Sequence, residues 1–299
     1  MAYTITTDIA RMIAVKQKEI YFTNYDLWPS EYPGYTTEKE GVKQTETFDS
    51  MGNLKAAVEK PEGSPIIYGN IEQAYQTSVT SKTWDNGLAF TIESIKFDLN
   101  SVVNSLKSSE LSDTMRILEE ERAIRSYDNA FATNLSTGVP LCSNSVPCKN
   151  VPGTFNDTLA TTSSIGDPDN HIGMAQMFSA FKNHQGKPNR SYPTNAMTHA
   201  WNQFTVEEMY QSTNKAGETS NTKNVLPRDI KWQYSHYLSS TTAYFMWDRR
   251  FQHALFVWWM KTDFSDEVDF DTKNLKLAVI AMYETCTLPN VGIVGNPGA

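Results

Sequence analysis

The chain has 299 residues, 39% of them hydrophobic, enough to bury a sizeable core in one large domain or two intertwined ones. Lys plus Arg is 26 and Asp plus Glu is 34, so the formal net charge is −8. That balance argues against avid binding of nucleic-acid phosphates, which calls for a basic surplus. It leaves open an acidic wall that merely encloses nucleic acid. The three cysteines, Cys142, Cys148 and Cys286, are too few and odd in number for a disulfide framework. Idle buried thiols are the plain reading, and a local disulfide between Cys142 and Cys148 is the sharper alternative.

In chain order, residues 1–22 carry weak helical periodicity through Ile9, Met12, Ile13 and Ile20. No basic stretch followed by an apolar core stands at the N-terminus, so no signal peptide is expected. The longest apolar run, Ala254 to Met260, falls far short of the ~20 residues that span a bilayer. Synthesis in the cytosol is therefore expected, and the sequons at Asn134, Asn156 and Asn189 carry no meaning there. Residues 23–65 are interrupted by Pro29, Pro33, Gly34, Gly41, Gly52, Pro61, Gly63 and Pro65. They read as an extended arm rather than a folded core.

Tyr75, Thr77, Val79 and Ser81 alternate with polar neighbours. Asp85-Asn86-Gly87 reads as a tight turn, and Leu88, Phe90 and Ile92 as one face of a return strand. This predicts a long hairpin, either resting on another surface or lying within a larger sheet. A long uninterrupted helix is expected from about 109 to 133. Leu111, Met115 and Leu118 form one stripe, and Ile117, Ile124 and Phe131 the adjoining one. Arg116–Glu120 and Glu121–Arg125 are spaced i,i+4, so Glu119-Glu120-Glu121-Arg122 reads as a solvated face rather than a catalytic carboxylate cluster.

Residues 134–170 read as loops and short strands. A second helix is expected from about 172 to 183, with Met174, Met177, Phe178 and Phe181 inward, stopped by Gly186-Lys187-Pro188. A third helical stretch is expected over 196–211, then a polar loop over 212–228. Ile230, Trp232, Tyr234 and His236 alternate as a strand. Residues 243–247 and 254–259 are apolar runs typical of buried strands. Phe264 to Asn274 reads as an acidic loop, 275–283 as a final long strand, and 291–295 as a short apolar tail.

No Gly-rich phosphate loop, zinc-protease helix or nucleophile elbow is present. His171, His184, His199, His236 and His253 show no ligand spacing, and His236 reads as a structural histidine among aromatics. Asp263, Asp266, Glu267, Asp269 and Asp271 lack the pattern of a calcium loop. No catalytic, cofactor-binding or metal-binding residue is therefore expected, nor any cofactor.

The order of elements resembles the α+β Hong Kong 97-type capsid fold. The stretches QTSVTSKTWDNGLAFTIESIKFD and LSDTMRILEEERAIRSYDNAF, within residues 75–131, are similar to the extended loop and spine helix of Mu-like major head subunits. Residues 172–250 are similar to the axial domain. The resemblance implies an arm and extended segment over 1–65, an extended-loop hairpin over 66–98, and a peripheral domain over 99–165 containing the spine helix 109–133. An axial domain over 166–235, return strands over 236–285 and a C-terminal tail over 286–299 would follow. It implies a non-enzymatic major capsid protein that assembles through pentamers and hexamers into an icosahedral shell around the double-stranded DNA of a tailed bacteriophage. Portal, scaffolding or decoration proteins are the implied partners, with no membrane. Assembly would take place in the host cytoplasm and the product would be the virion. Some relatives cross-link through Lys and Asn, and Lys82 is the one position to watch. The competing readings are an encapsulin-type shell enclosing enzymes, another virion protein such as a tail tube or decoration subunit, and a monomeric hydrolase or carbohydrate-active domain.

Overall fold

A computed structural model of the chain describes residues 4–51, 59–66, 68, 73–91, 93, 97, 102–147, 154–158, 164–182, 188–215, 223–226, 229–269, 274–289 and 292–298. Cys148, His184, Ile92, the Gly186-Lys187 stop and most of the polar loop after 215 lie outside the described residues.

Two four-stranded sheets, each with helices against it, organise the molecule. The first sheet has the order β1-β10-β11-β4, made of Thr37–Glu40 (β1), Ala254–Val268 (β10), Leu275–Thr287 (β11) and Thr83–Phe90 (β4). Helices α1 (Thr4–Leu27) and α2 (Val102–Asp128) lie against it. β11 follows the strand period: Leu275, Leu277, Val279, Ala281 and Tyr283 are buried, while Lys276, Ala278, Ile280 and Met282 alternate on the other side. Leu111, Met115, Ala123, Ile124 and Tyr127 of α2 complete the core. Tyr21 of α1 meets Phe264, with ring centroids 5.5 Å apart.

The second sheet has the order β12-β9-β7-β8: Ile293–Asn296 (β12), Tyr244–Trp247 (β9), Asn195–His199 (β7) and Lys231–Ser235 (β8). Its core is formed with α3 (Pro168–Ala180) and α4 (Gln203–Gln211), from Met174, Phe178, Phe181, Val206, Tyr244 and Met246. Asp167 caps α3 by accepting from the Asp169 N–H at 3.0 Å, with Pro168 at the first helical position. Two smaller ribbons complete the described strands. β2 (Thr45–Met51) pairs with β3 (Gln73–Thr80), and β5 (Val146–Pro147) pairs with β6 (Thr154–Phe155).

The α+β class and the helix at 1–22 agree with expectation, and several local expectations are corrected. The hairpin does not form between β3 and β4. β3 pairs with β2, and β4 pairs antiparallel with β11, placing Asp85, Asn86 and Gly87 opposite Ile280, Val279 and Ala278. A two-residue primed turn needs positive φ at both centres, and Gly87 is not among the positive-φ glycines. Docking Trp84, Leu88 and Phe90 onto the first sheet's core outweighs the local turn preference. The arm is not wholly outside the core either, since Tyr32 and Tyr35 are each only 4% exposed. Tyr32 stacks on Phe256 at 4.7 Å, and β1 runs parallel to β10.

The long helix spans 102–128 rather than 109–133. The second helix starts earlier, at Pro168, and ends at Ala180. Residues 196–199 belong to strand β7, so the third helix is confined to 203–211. Strand β10 continues through Val268, so the expected acidic loop is strand over its first half. Phe264 points into the core while Asp263, Ser265, Asp266 and Glu267 are exposed.

Candidate functional site

Two features stand out: a seam of buried ionisable groups under α2, and an outer sheet face that the chain leaves half uncovered.

The seam begins with Glu119 and Glu120, 0% and 2% exposed. The expectation of a solvated face is therefore overturned for this pair, while Glu121 does face solvent. Successive helical residues diverge by about 100°, so the two carboxylates reach different partners. Glu119 accepts from the Tyr25 hydroxyl at 2.6 Å and pairs with Arg116 at 3.2 Å. Arg116 in turn donates to the Tyr25 carbonyl at 2.9 Å and lies 3.9 Å over the Tyr25 ring. Glu120 accepts from the Glu31 N–H at 2.7 Å and from the Tyr35 hydroxyl at 3.0 Å. Burial pushes both carboxyls upward, Glu120 to about 7, against the lowering effect of their donors.

Beyond Tyr35 the seam continues. The Tyr127 hydroxyl donates to the Tyr35 carbonyl at 2.6 Å and lies 2.6 Å from Nε2 of His253. On the other side of the ring, Nδ1 of His253 lies 3.5 Å from the Phe251 carbonyl. Burial holds His253 down at about 4. Most of these contacts join segment 25–36 to α2, and the Tyr127–His253 contact joins α2 to the residue before β10. Groups this enclosed leave no room for a substrate, so the seam acts as a tie between elements.

Other buried ionisable groups sit at the second sheet. His171, held near 4 by burial, is 2.7 Å from the Ile165 carbonyl through Nε2 and stacks with Tyr244 at 5.2 Å. Asp157, pushed up to about 8 by burial, accepts from the Ser143 N–H. Cys142, and Cys286 on β11 of the first sheet, are buried free thiols, both raised by burial.

His236 departs from expectation. It follows β8, its side chain is 72% exposed, and its Nδ1 lies 2.6 Å from Glu31. The strand ends at Ser235, which points the next residue out of the sheet. Lys82 joins β3 to β4 and pairs with the buried Glu284 at 2.8 Å. Among the described residues no group of three or more His, Cys, Asp or Glu could hold a metal ion. No helix among them is long and apolar enough to cross a membrane.

The outer face of the first sheet, opposite α2, is divided. Near the β10 start it is covered by the β2–β3 ribbon: Phe48 and Val79 pack on Leu255, Val257 and Cys286. The ribbon thus rests partly on its own subunit. Farther along, cross-strand partners Asp85–Ile280–Asp263 and Gly87–Ala278–Ser265 form a face with no described element over it. Ala278, Ile280, Met282 and Met260 are half-buried there, bordered by exposed Asp85, Asp263 and Glu267.

Comparison with known proteins places this architecture. Neither a protein-family description nor a curated protein matches the chain by sequence. Solved structures match almost end to end. The capsid of cyanophage P-SCSP1u has a TM-score of 0.56 at 10% identity, over 89% of this chain and 87% of that one. The chain has the Hong Kong 97-type capsid fold. Mycobacterium phage Patience is similar at TM-score 0.56 and 10% identity, covering 97% and 86%. A virus-like particle from Pyrococcus furiosus matches at TM-score 0.55 and 12% identity, covering 94% and 97%. At these identities the fold is shared while the side chains are almost wholly different. The seam and the divided face therefore rest on this chain's own residues.

Proposed function

We propose that the chain is the major capsid subunit of a tailed bacteriophage, a structural rather than catalytic protein that self-assembles into an icosahedral shell around double-stranded DNA. The observation that carries this reading is the fold match to a phage capsid over nearly the full length of both chains. In this reading the first sheet with α2 is the peripheral domain, α2 its spine helix, and the second sheet the axial domain. The extended loop is the β2–β3 ribbon. Pentamers and hexamers are the building units, with portal, scaffolding or decoration proteins as further partners. Assembly takes place in the host cytoplasm.

The divided outer face supports the same reading. The described part of the ribbon covers only the near half of its own sheet, and in this reading the Ala278–Ile280–Met282 strip takes the ribbon of the next copy. Heterologous contacts of that kind close into rings. The acidic balance suits a wall that encloses DNA without gripping it.

Negative-stain electron microscopy with sizing of the purified protein tests the proposal. Closed shells, or free pentamers and hexamers, are expected. Tubes would move the assignment to a tail protein. A monomer that stays monomeric at high concentration, and with the scaffold supplied, would overturn it. Shells that carry protein cargo instead of nucleic acid would move the assignment to an enzyme-enclosing compartment.

A further inference from the structure

The two ends of the second sheet differ in a way the fold does not require. β7 runs from Asn195 to His199, β8 runs parallel to it, and β9 antiparallel. At the start of β7, Asn195 is paired with Lys231 on one side and Trp247 on the other. Lys231 and Arg249 line one cavity of about 370 Å³ with Asn195, Gln233 and Glu38. Both cations are exposed and neither forms an ion pair with a described residue. Glu38 lies 3.7 Å from Lys261. Arg190, also exposed, is held beside them, its carbonyl accepting from Arg250, whose own charge is met by Asp248. In a chain of net charge −8 this end is locally cationic.

At the far end of β7 the chain turns through Trp201 and Phe204, which are 81% and 80% exposed. With His199, Ala200 and His236 they line an open cleft. The turn is held in place rather than loose: Nδ1 of His199 accepts from the Trp201 N–H at 3.0 Å. Asn202 donates to Thr198 Oγ1 at 3.0 Å and to the Thr241 carbonyl at 2.6 Å. Acidic groups surround the aromatics. Glu31 is bound to His236, and Glu207 and Glu208 follow on α4. Two large rings presented on a fixed turn are the kind of anchor that dominates protein interfaces.

We propose that these ends are the two halves of one head-to-tail contact. The aromatic, acidic end of one copy seats on the cationic end of the next copy's second sheet, with Arg249 over the Trp201–Phe204 pair and Glu208 facing Lys231. The inference rests on the shell-subunit reading, and it names the occupant of both surfaces as a second copy of this chain. Cation–π contact and opposite charge act at the same place. The two surfaces lie at opposite ends of one strand, so each copy offers one half forward and one half back. Head-to-tail contacts of this kind form a ring when the rotation from one copy to the next closes.

The test uses the full chain, with assembly read by mass photometry and sizing and folding read by thermal melting. Trp201→Ala with Phe204→Ala is expected to lower the assembled fraction at least tenfold while the subunit melts as before. Lys231→Glu is expected to do the same, and adding Glu208→Lys to it should restore assembly. Acrylamide quenching gives a readout independent of yield. Assembly should protect one more tryptophan in the unmodified chain than in Trp201→Phe. If the unmodified chain assembles and the variants assemble equally well, the contact is overturned while the shell reading stands. A charge swap that fails to restore assembly, or quenching that assembly leaves unchanged, also overturns it. If the unmodified chain never assembles, both readings fall together.

Discussion

The two sheets solve the same packing problem with different chemistry. Each has four strands with helices against it. The second sheet's core is held by rings and methionines, with His171 enclosed between Tyr210, Trp232 and Tyr244. The first sheet carries a comparable aromatic core of Phe256, Tyr283 and Trp258, but its joint to segment 25–36 is ionisable, through Glu119 and Glu120. Apolar packing is indifferent to pH, whereas a buried carboxylate is not. The comparison teaches that the joint of the first sheet is set partly by the protonation of two carboxyls, and the second core by packing around one histidine whose charging burial disfavours.

The largest expected effect tests the shape-held part of the first sheet. Phe256 is fully buried between Tyr32, Trp258 and Tyr283. Phe256→Ala should cost about 3–5 kcal/mol in denaturant unfolding of the subunit. A loss below about 1 kcal/mol would mean that the segment carrying Tyr32 collapses into the space.

The next effect separates carboxyls from histidines by sign. Burial raises the folded pKa of Glu120 to about 7, above the ordinary carboxylate value of 4.5. Between those values the folded state holds the extra proton. Stability from this group is full below about 4.5 and falls as pH rises through 7, by at most about 1.4 kcal/mol per pH unit. His171 has a folded pKa of about 4, below 6.5. Its contribution is full above 6.5 and falls as pH drops toward 4. Unfolding curves across pH 4 to 8 should therefore show a shallower falling limb in Glu120→Gln and a shallower rising limb in His171→Phe. Asp157 adds to the first trend and His253 to the second. Single-residue removal is thus the readout that matters. Unchanged limbs would break the comparison.

Smaller effects sharpen it. Asp167→Ala removes the cap of α3 and should cost about 1 kcal/mol, read by the same unfolding curves. Lys82→Met should change stability by less than about 1 kcal/mol, because the lysine is half exposed. A larger loss would show that Lys82 fixes the root of the ribbon by holding Glu284.

Much of the fold was legible. The period-2 pattern of 275–283 gave a strand with the inward set Leu275, Leu277, Val279 and Ala281. The uninterrupted stripe of Leu111 and Met115 gave the long helix, though not its first turns at 102–108. The seam was not legible. Glu119 and Glu120 sit in a run of charges that looks solvated by spacing alone, and the donors that enclose them, Tyr25, the Glu31 N–H and Tyr35, lie some 85 to 94 residues away. Tyr25, Tyr32 and Tyr35 were the available signal, since an arm with three tyrosines in eleven residues carries more buried area than an extended linker needs.

The sequence by itself determined which residues could be helix or strand and which face of each would turn inward, because those follow from local period and side-chain size. Only the tertiary structure decided who pairs with whom. Asp85-Asn86-Gly87 favours a turn locally, yet the strand that contains it gains Trp84, Leu88 and Phe90 as core contacts by lying along β11, nearly two hundred residues downstream. Likewise the 196–199 stretch has residues acceptable in a helix but buries Ala196 and Met197 only between β8 and β9. Local preferences are worth tenths of a kcal/mol to about one per residue. Burying one large side chain is worth about 1.5–3 kcal/mol, so the long-range partner wins wherever the two disagree.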